Sequence, residues 1–67
     1  MFYICDRFGF ISGFERRENY EGELVLKARH CIDIREAKPF TSRAEAEKAY
    51  RGLGVDWYHC IVSTDAR

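Results

Sequence analysis

The apolar positions of this chain fall into short strand-like runs, with one stretch that repeats at helical spacing. That stretch, Pro39 to Gly54, carries a stop signal at each end. The Ser42 hydroxyl is placed to accept a hydrogen bond from an early backbone N–H, and Glu45, three residues on, completes a capping-box pattern. Pro39 keeps the helix from starting earlier, and Gly54 supplies a left-handed stop. Ala46, Ala49 and Leu53 form one apolar stripe with Tyr50 at its edge, while Arg43, Glu47, Lys48 and Arg51 are expected in water. Small alanines on the stripe let a helix lie close to a flat partner, so the pattern predicts a helix on a sheet.

The remaining runs supply that sheet. Phe2 to Cys5 reads as a strand, Asp6-Arg7-Phe8-Gly9 as a turn, and Phe10 to Phe14 as a second strand, together a hairpin. Gly13 weakens the second strand and marks a candidate bulge. Glu15 to Glu23 is polar and expected to be a solvated interlude. From Leu24 to Ile34 two patterns compete. Even positions Leu24, Leu26, Ala28, His30, Ile32 and Ile34 alternate with mostly polar odd ones, whereas Leu24, Val25, Ala28, Cys31 and Ile32 also fit a helical stripe. The alternation persists longer, which favours a strand with a break near His30. After the helix, Gly54-Val55-Asp56 connects to a strand predicted over Trp57 to Ser63, and Thr64 to Arg67 is expected to fray. The order β-β-β-α-β describes an α+β domain, a three- to four-stranded, mainly antiparallel sheet with one helix on one face. A right-handed crossover through the helix would set the third and fourth strands parallel.

Composition narrows the possibilities. A chain of 67 residues is one domain, and such a domain buries only about 60% of its unfolded surface, so the core is thin. Aromatic residues at 15% compensate, because rings bury much area at low entropy cost. The 11 basic and 11 acidic residues cancel, so no net field draws the chain to nucleic acid or an anionic membrane. No run is long enough to span a bilayer, and nothing reads as a signal peptide. Cys5, Cys31 and Cys60 are odd in number and far apart in sequence, which favours reduced thiols and a cytoplasmic setting.

One helix shields one side of a sheet. The last predicted strand has two apolar sides, Tyr58, Cys60, Val62 and Trp57, His59, Ile61, and so has the first. An apolar face left bare marks a contact surface. Tyr3, Arg29, Trp57 and His59 are its candidate partner-binding residues, since Trp, Tyr and Arg concentrate binding energy. The competing expectation is that the hairpin or the Glu15–Gly22 loop folds over this face. Catalytic chemistry is not indicated: no phosphate-cradling glycine loop, metalloprotease helix or paired-carboxylate spacing occurs. Cofactors are not expected. His30-Cys31 and His59-Cys60 point to opposite strand faces as neighbours, so neither pair chelates as a unit. Strict alternation would gather Cys5, Cys31 and His59 on the open face, but Cys-x-x-Cys knuckles are absent and no metal is expected.

Arg7-Phe8-Gly9-Phe10-Ile11 resembles the aromatic motif of cold-shock domains and RNA-recognition motifs, where rings on a strand stack on unpaired bases. The resemblance implies Arg7, Phe8 and Phe10 as an alternative nucleic-acid surface. The glycine expected between Arg7 and Phe8 is missing, and a helix has no place in an all-β cold-shock barrel. Across most of the chain, the layout is similar to small phage and mobile-element proteins of the anti-CRISPR type. Phe40, Ser42, Glu45, Ala46, Tyr50 and Tyr58 carry that resemblance, and it transfers no functional residue. It implies a non-enzymatic inhibitor that docks on a host or defence complex such as a CRISPR effector. A small structural homodimer is the remaining alternative.

Overall fold

Strand β1 (Phe2–Asp6) lies inside the sheet and takes backbone partners on both sides. The computed structural model describes residues 1–55 and 57–64; Asp56, expected in a connection, and residues 65–67, expected to fray, lie outside the described residues. The other elements are β2 (Gly9–Glu18), β3 (Leu24–Cys31), a 3₁₀ turn at Ile34–Glu36, α1 (Arg43–Arg51) and β4 (His59–Ser63). They form a four-stranded sheet in the order β3-β2-β1-β4, antiparallel throughout, with one helix. This is the small α+β fold that the apolar pattern predicts.

The expected parallel orientation of the third and fourth strands does not occur: three successive antiparallel pairings leave β3 and β4 antiparallel, at opposite edges. The cause is a short insertion. Phe2 and Phe40 exchange backbone hydrogen bonds at 2.9 and 2.8 Å, and the Lys38 N–H donates to the Ile11 carbonyl at 3.0 Å. A register shift between Ile11 and Gly13, at the glycine that marks the candidate bulge, accompanies this opening. Hairpin pairing between β1 and β2 is confined to Cys5–Phe10 and Asp6–Gly9. Residues 38–40 fill the gap that follows. They and β4 both run antiparallel to β1, so the strand–helix–strand unit starts at Phe40 rather than at β3.

Three further boundaries differ from expectation. β2 continues through Arg16, Arg17 and Glu18, because backbone pairing to Leu26, Val25 and Leu24 extends it regardless of side-chain polarity. The polar interlude shrinks to a tight turn in which Asn19 Oδ1 accepts the Glu21 and Glu23 N–H groups at 2.9 and 3.0 Å. β3 is a strand, as alternation predicts, but stops at Cys31, and β4 begins only at His59.

The helix is capped as its sequence indicates: Ser42 Oγ accepts from the Glu45 N–H at 3.1 Å. The Glu45 carboxylate takes the Thr41 hydroxyl at 2.6 Å instead of returning to Ser42. Gly54 has φ +69°, the left-handed conformation expected after the helix. Ala46 and Tyr50 are buried with Ile4, Ile11, Phe40 and Ile61 in one cluster, so Tyr50 sits at the centre of the apolar stripe and not at its edge. Fully burying each large apolar side chain contributes about 1.5–3 kcal/mol. Nine residues of helix span roughly 14 Å, against a longest molecular dimension of 41 Å. α1 therefore packs chiefly on β1 and β4 and reaches β3 only at its margin.

On the opposite face, Tyr3 pairs with Val62 and is completely buried. The centre of that face is closed by the same chain. Cys5, Phe10 and Val62 around it are half-buried.

Two glycines separate turn geometry from flexibility. Gly9 has φ +122°, and a Cβ there would stand 2.7 Å from the Cys31 carbonyl oxygen; at Gly13 nothing lies within 4 Å. Gly9→Ala is expected to destabilise by about 2 kcal/mol or more. Gly13→Ala should fall within about 1 kcal/mol of the parent, on the stabilising side. Urea denaturation of both variants checks this, and equal losses would contradict the turn geometry.

Candidate functional site

Because α1 reaches only the margin of β3, a groove of about 330 Å³ opens beside it, at the lower end of the volume range of small-ligand pockets. The face of β3 that alternates toward the helix supplies the floor: Leu26, Ala28 and His30. Leu53 and Val55, in the chain leaving α1, form one wall with Trp57. Phe8, carried on the β1–β2 turn, closes one end. Its ring meets Trp57 edge-on at 5.4 Å and His30 edge-on at 5.5 Å, favourable geometry for aromatic pairs. Phe8 and Trp57 are nonetheless 55% and 46% exposed, so both rings line the groove mouth.

At the base lies Asp6, its side chain 1% exposed. A buried carboxylate is costly unless donors surround it. Oδ1 accepts the Phe8 N–H at 2.9 Å, which fixes the turn. Oδ2 accepts from His30 Nε2 at 3.0 Å and from the Tyr50 hydroxyl at 3.4 Å. Strand, edge strand and helix thus meet at one carboxylate. Burial first, then the charge of Asp6 and its hydrogen bond, push the Tyr50 phenol above its ordinary pKa. The other side of Tyr50 stacks on His59 at 3.9 Å with 20° between planes. His59 Nε2 donates to Glu47 at 3.0 Å, and Nδ1 faces the Trp57 carbonyl at 3.4 Å. This hydrogen bond, ahead of all other influences, holds the Glu47 carboxyl below its usual value. Glu47, expected in free water, is half-buried and engaged.

The structure separates the four candidate contact residues. Trp57 and His59 lie on the helix side and meet through the Trp57 carbonyl. Tyr3 is buried on the far side, and Arg29, exposed, lies opposite Gly13 on β3, on the face away from His30. For the nucleic-acid set, Arg7 and Phe8 sit together in the turn, with the guanidinium 5.5 Å from the ring centroid. Phe10 points to the other face, opposite Cys5 and Cys31, so the two rings make no common platform. Cys5, Cys31 and His59 do not converge either: His59 pairs with Asp6, one residue out of step with Cys5. Among the described residues, no group of three or more potential ligands is placed to hold a metal ion. Among them, too, no helix is long and apolar enough to cross a membrane.

The residue pattern singles out none of Asp6, Tyr50 and Glu47 as functional positions, and it marks His30 only as a neighbour of Cys31. The one available signal was a histidine on the apolar side of an alternating strand, facing leucine and alanine neighbours. No family model, curated protein or solved structure matches this chain.

Asp6→Ala leaves His30 and the Tyr50 hydroxyl without their shared acceptor and is expected to cost about 1–3 kcal/mol. Denaturant titration measures it, and an unchanged midpoint would contradict the central role of Asp6. Glu47 binds its proton more weakly folded than unfolded, so its contribution is present above the ordinary carboxylate range and lost as pH falls through its lowered folded value. Thermal melts between about pH 6 and pH 3 should therefore show a shallower acid loss for Glu47→Gln than for the parent.

Proposed function

We propose that the protein is a non-enzymatic protein-binding module. It takes an extended segment of its partner along the free edge of β3, with one apolar anchor side chain seated in the groove. The observation carrying this reading is the pair of exposed rings, Phe8 and Trp57, at the mouth of an apolar groove whose floor is an edge strand. Edge strands present unpaired backbone groups that an extended segment can pair, while alternate side chains enter neighbouring pockets. Arg7 and Lys27 at the rim favour acidic residues flanking the anchor.

Binding without catalysis is supported by the state of the groove's polar groups. Asp6 is already engaged by three donors, and the groove lining contributes no hydroxyl or thiol nucleophile among the described residues. A protein partner is favoured over nucleic acid by the balanced charge and by the placement of Phe8 and Phe10 on different faces. The finer reading, a phage-type inhibitor docking on a host or defence complex such as a CRISPR effector in the cytoplasm, rests on the layout resemblance. The groove gives such an inhibitor a contact surface. The free β3 edge also suits pairing with a second copy of the chain.

Selection of a displayed random peptide library on the immobilised protein tests the proposal. Selected peptides should carry a large apolar residue with acidic neighbours and shift the β3 amide resonances. A combined Phe8→Ala and Trp57→Ala variant should lose about 30-fold in affinity, as expected for hot-spot aromatics, while its circular dichroism is retained. Peptides that bind the variant as tightly as the parent, or light scattering that shows a dimer with β3 protected, would overturn the reading.

A further inference from the structure

Cys5 and Cys60 stand far apart in sequence, yet the register of β1 and β4 sets them directly opposite each other. Facing residues in an antiparallel pair have Cα atoms about 4.5–5.5 Å apart, inside the range of about 4.4–6.8 Å that a disulfide spans. Cys5 alternates with Ile4 and Asp6, which face α1, so both thiols project from the other side of the sheet. The Cys5 thiol donates to the Asp6 carbonyl at 3.8 Å. Cys60 is exposed and Cys5 half-buried, and both are free thiols.

The third cysteine is excluded by the same register. Cys31 lies in the same cross-sheet row, but Phe10 stands between it and Cys5. Two strand spacings put them about 9.5 Å apart, beyond the reach of a disulfide. Thiols that look unpaired in the sequence are thus a pair and a bystander.

We propose that Cys5 and Cys60 form a dithiol site that a hydroperoxide oxidises to a cross-strand disulfide. The exposed Cys60 sulfur attacks the peroxide, the O–O bond breaks, and Cys60 becomes a sulfenic acid with release of water (or of an alcohol from an organic peroxide). The Cys5 sulfur then attacks the Cys60 sulfur. The S–O bond breaks, the Cys5 proton leaves with the hydroxyl as a second molecule of water, and the S–S bond forms. The two thiols lose two electrons and two protons, and the peroxide accepts them. The half-buried Cys5, less accessible to a peroxide than the exposed Cys60, suits the second step rather than the first, and burial first, then Cys60 and Asp6, push its thiol above its ordinary pKa.

The bond is built to be reversible. Phe2 directs its backbone groups toward Phe40, and alternation along β1 turns those of Cys5 toward β4. Cys5 and Cys60 are therefore a hydrogen-bonded pair, the wider class of facing positions. A bridge there falls within ordinary disulfide geometry, and with Cys60 exposed it is open to a reductant. It joins the strand carrying Asp6 to the strand carrying His59, directly beneath the polar network of the groove.

Intact-mass analysis of the reduced, full chain treated with one equivalent of hydrogen peroxide tests the proposal. The expected product is a monomer lighter by about 2 Da, in which Cys31 alone is alkylated and proteolysis yields a Cys5–Cys60 linked peptide. Dithiothreitol should restore the starting mass. Cys31→Ser should behave as the parent, and Cys60→Ser should form no intramolecular bridge. A parent product in which Cys5 and Cys60 both remain alkylatable, in which Cys31 enters the bridge, or in which chains are linked to each other would overturn the assignment.

Discussion

The requirement that a buried carboxylate be met by donors organises this molecule. Asp6 sits where β1 gives way to the turn, with its side chain out of water. Its three donors come from the turn itself, from the edge strand through His30, and from the helix through Tyr50. Each is in a different element, so the carboxylate is satisfied only when the hairpin, β3 and α1 have all docked. Such an arrangement specifies one packing more sharply than an apolar contact does, because an alternative packing would strand a charge. The groove is a by-product of the same geometry: the helix is drawn over Asp6 and β4, and the floor beyond it stays open.

This arrangement explains the type of site the protein presents. With its carboxylate committed, the groove offers mostly apolar walls, two ring edges and a histidine whose Nε2 is already bonded. Such a lining suits an apolar side chain, the occupant proposed for it. The sheet's far side contributes less than one helix on one sheet would suggest, because Tyr3 is buried there by the same chain. The exposed aromatic surface lies beside the helix.

Elements whose determinants are local were legible in the sequence. Ser42 and Gly54 mark the helix through their own backbone neighbours, and Asp6 to Gly9 marks the turn through one Asx contact and one glycine with positive φ. Elements whose determinants are distant were not. β2 extends through charged residues because β3 pairs with it, and residues 38–40 join the sheet because a bulge makes room. Candidate residues divided in the same way. Trp57 and Phe8 stood out as exposed-type aromatics, but they belonged to different expected surfaces. Only the docked fold unites them, and it separates Trp57 from Tyr3. Asp6, His30 and Tyr50 are assembled across three elements, and no spacing in a linear chain announces that.

The insertion beside β1 bears on how the chain reaches this state. β1 comes before both of its long-range neighbours: residues 38–40 follow β3, and β4 follows α1. During synthesis, the central strand therefore waits with one complete side unoccupied until β4 has emerged. Distant pairings of this kind are slow to form and leave apolar edges exposed meanwhile. The β2–β3 ribbon closes locally, so it is the natural early scaffold, and the sheet is completed from that edge across β1 to β4.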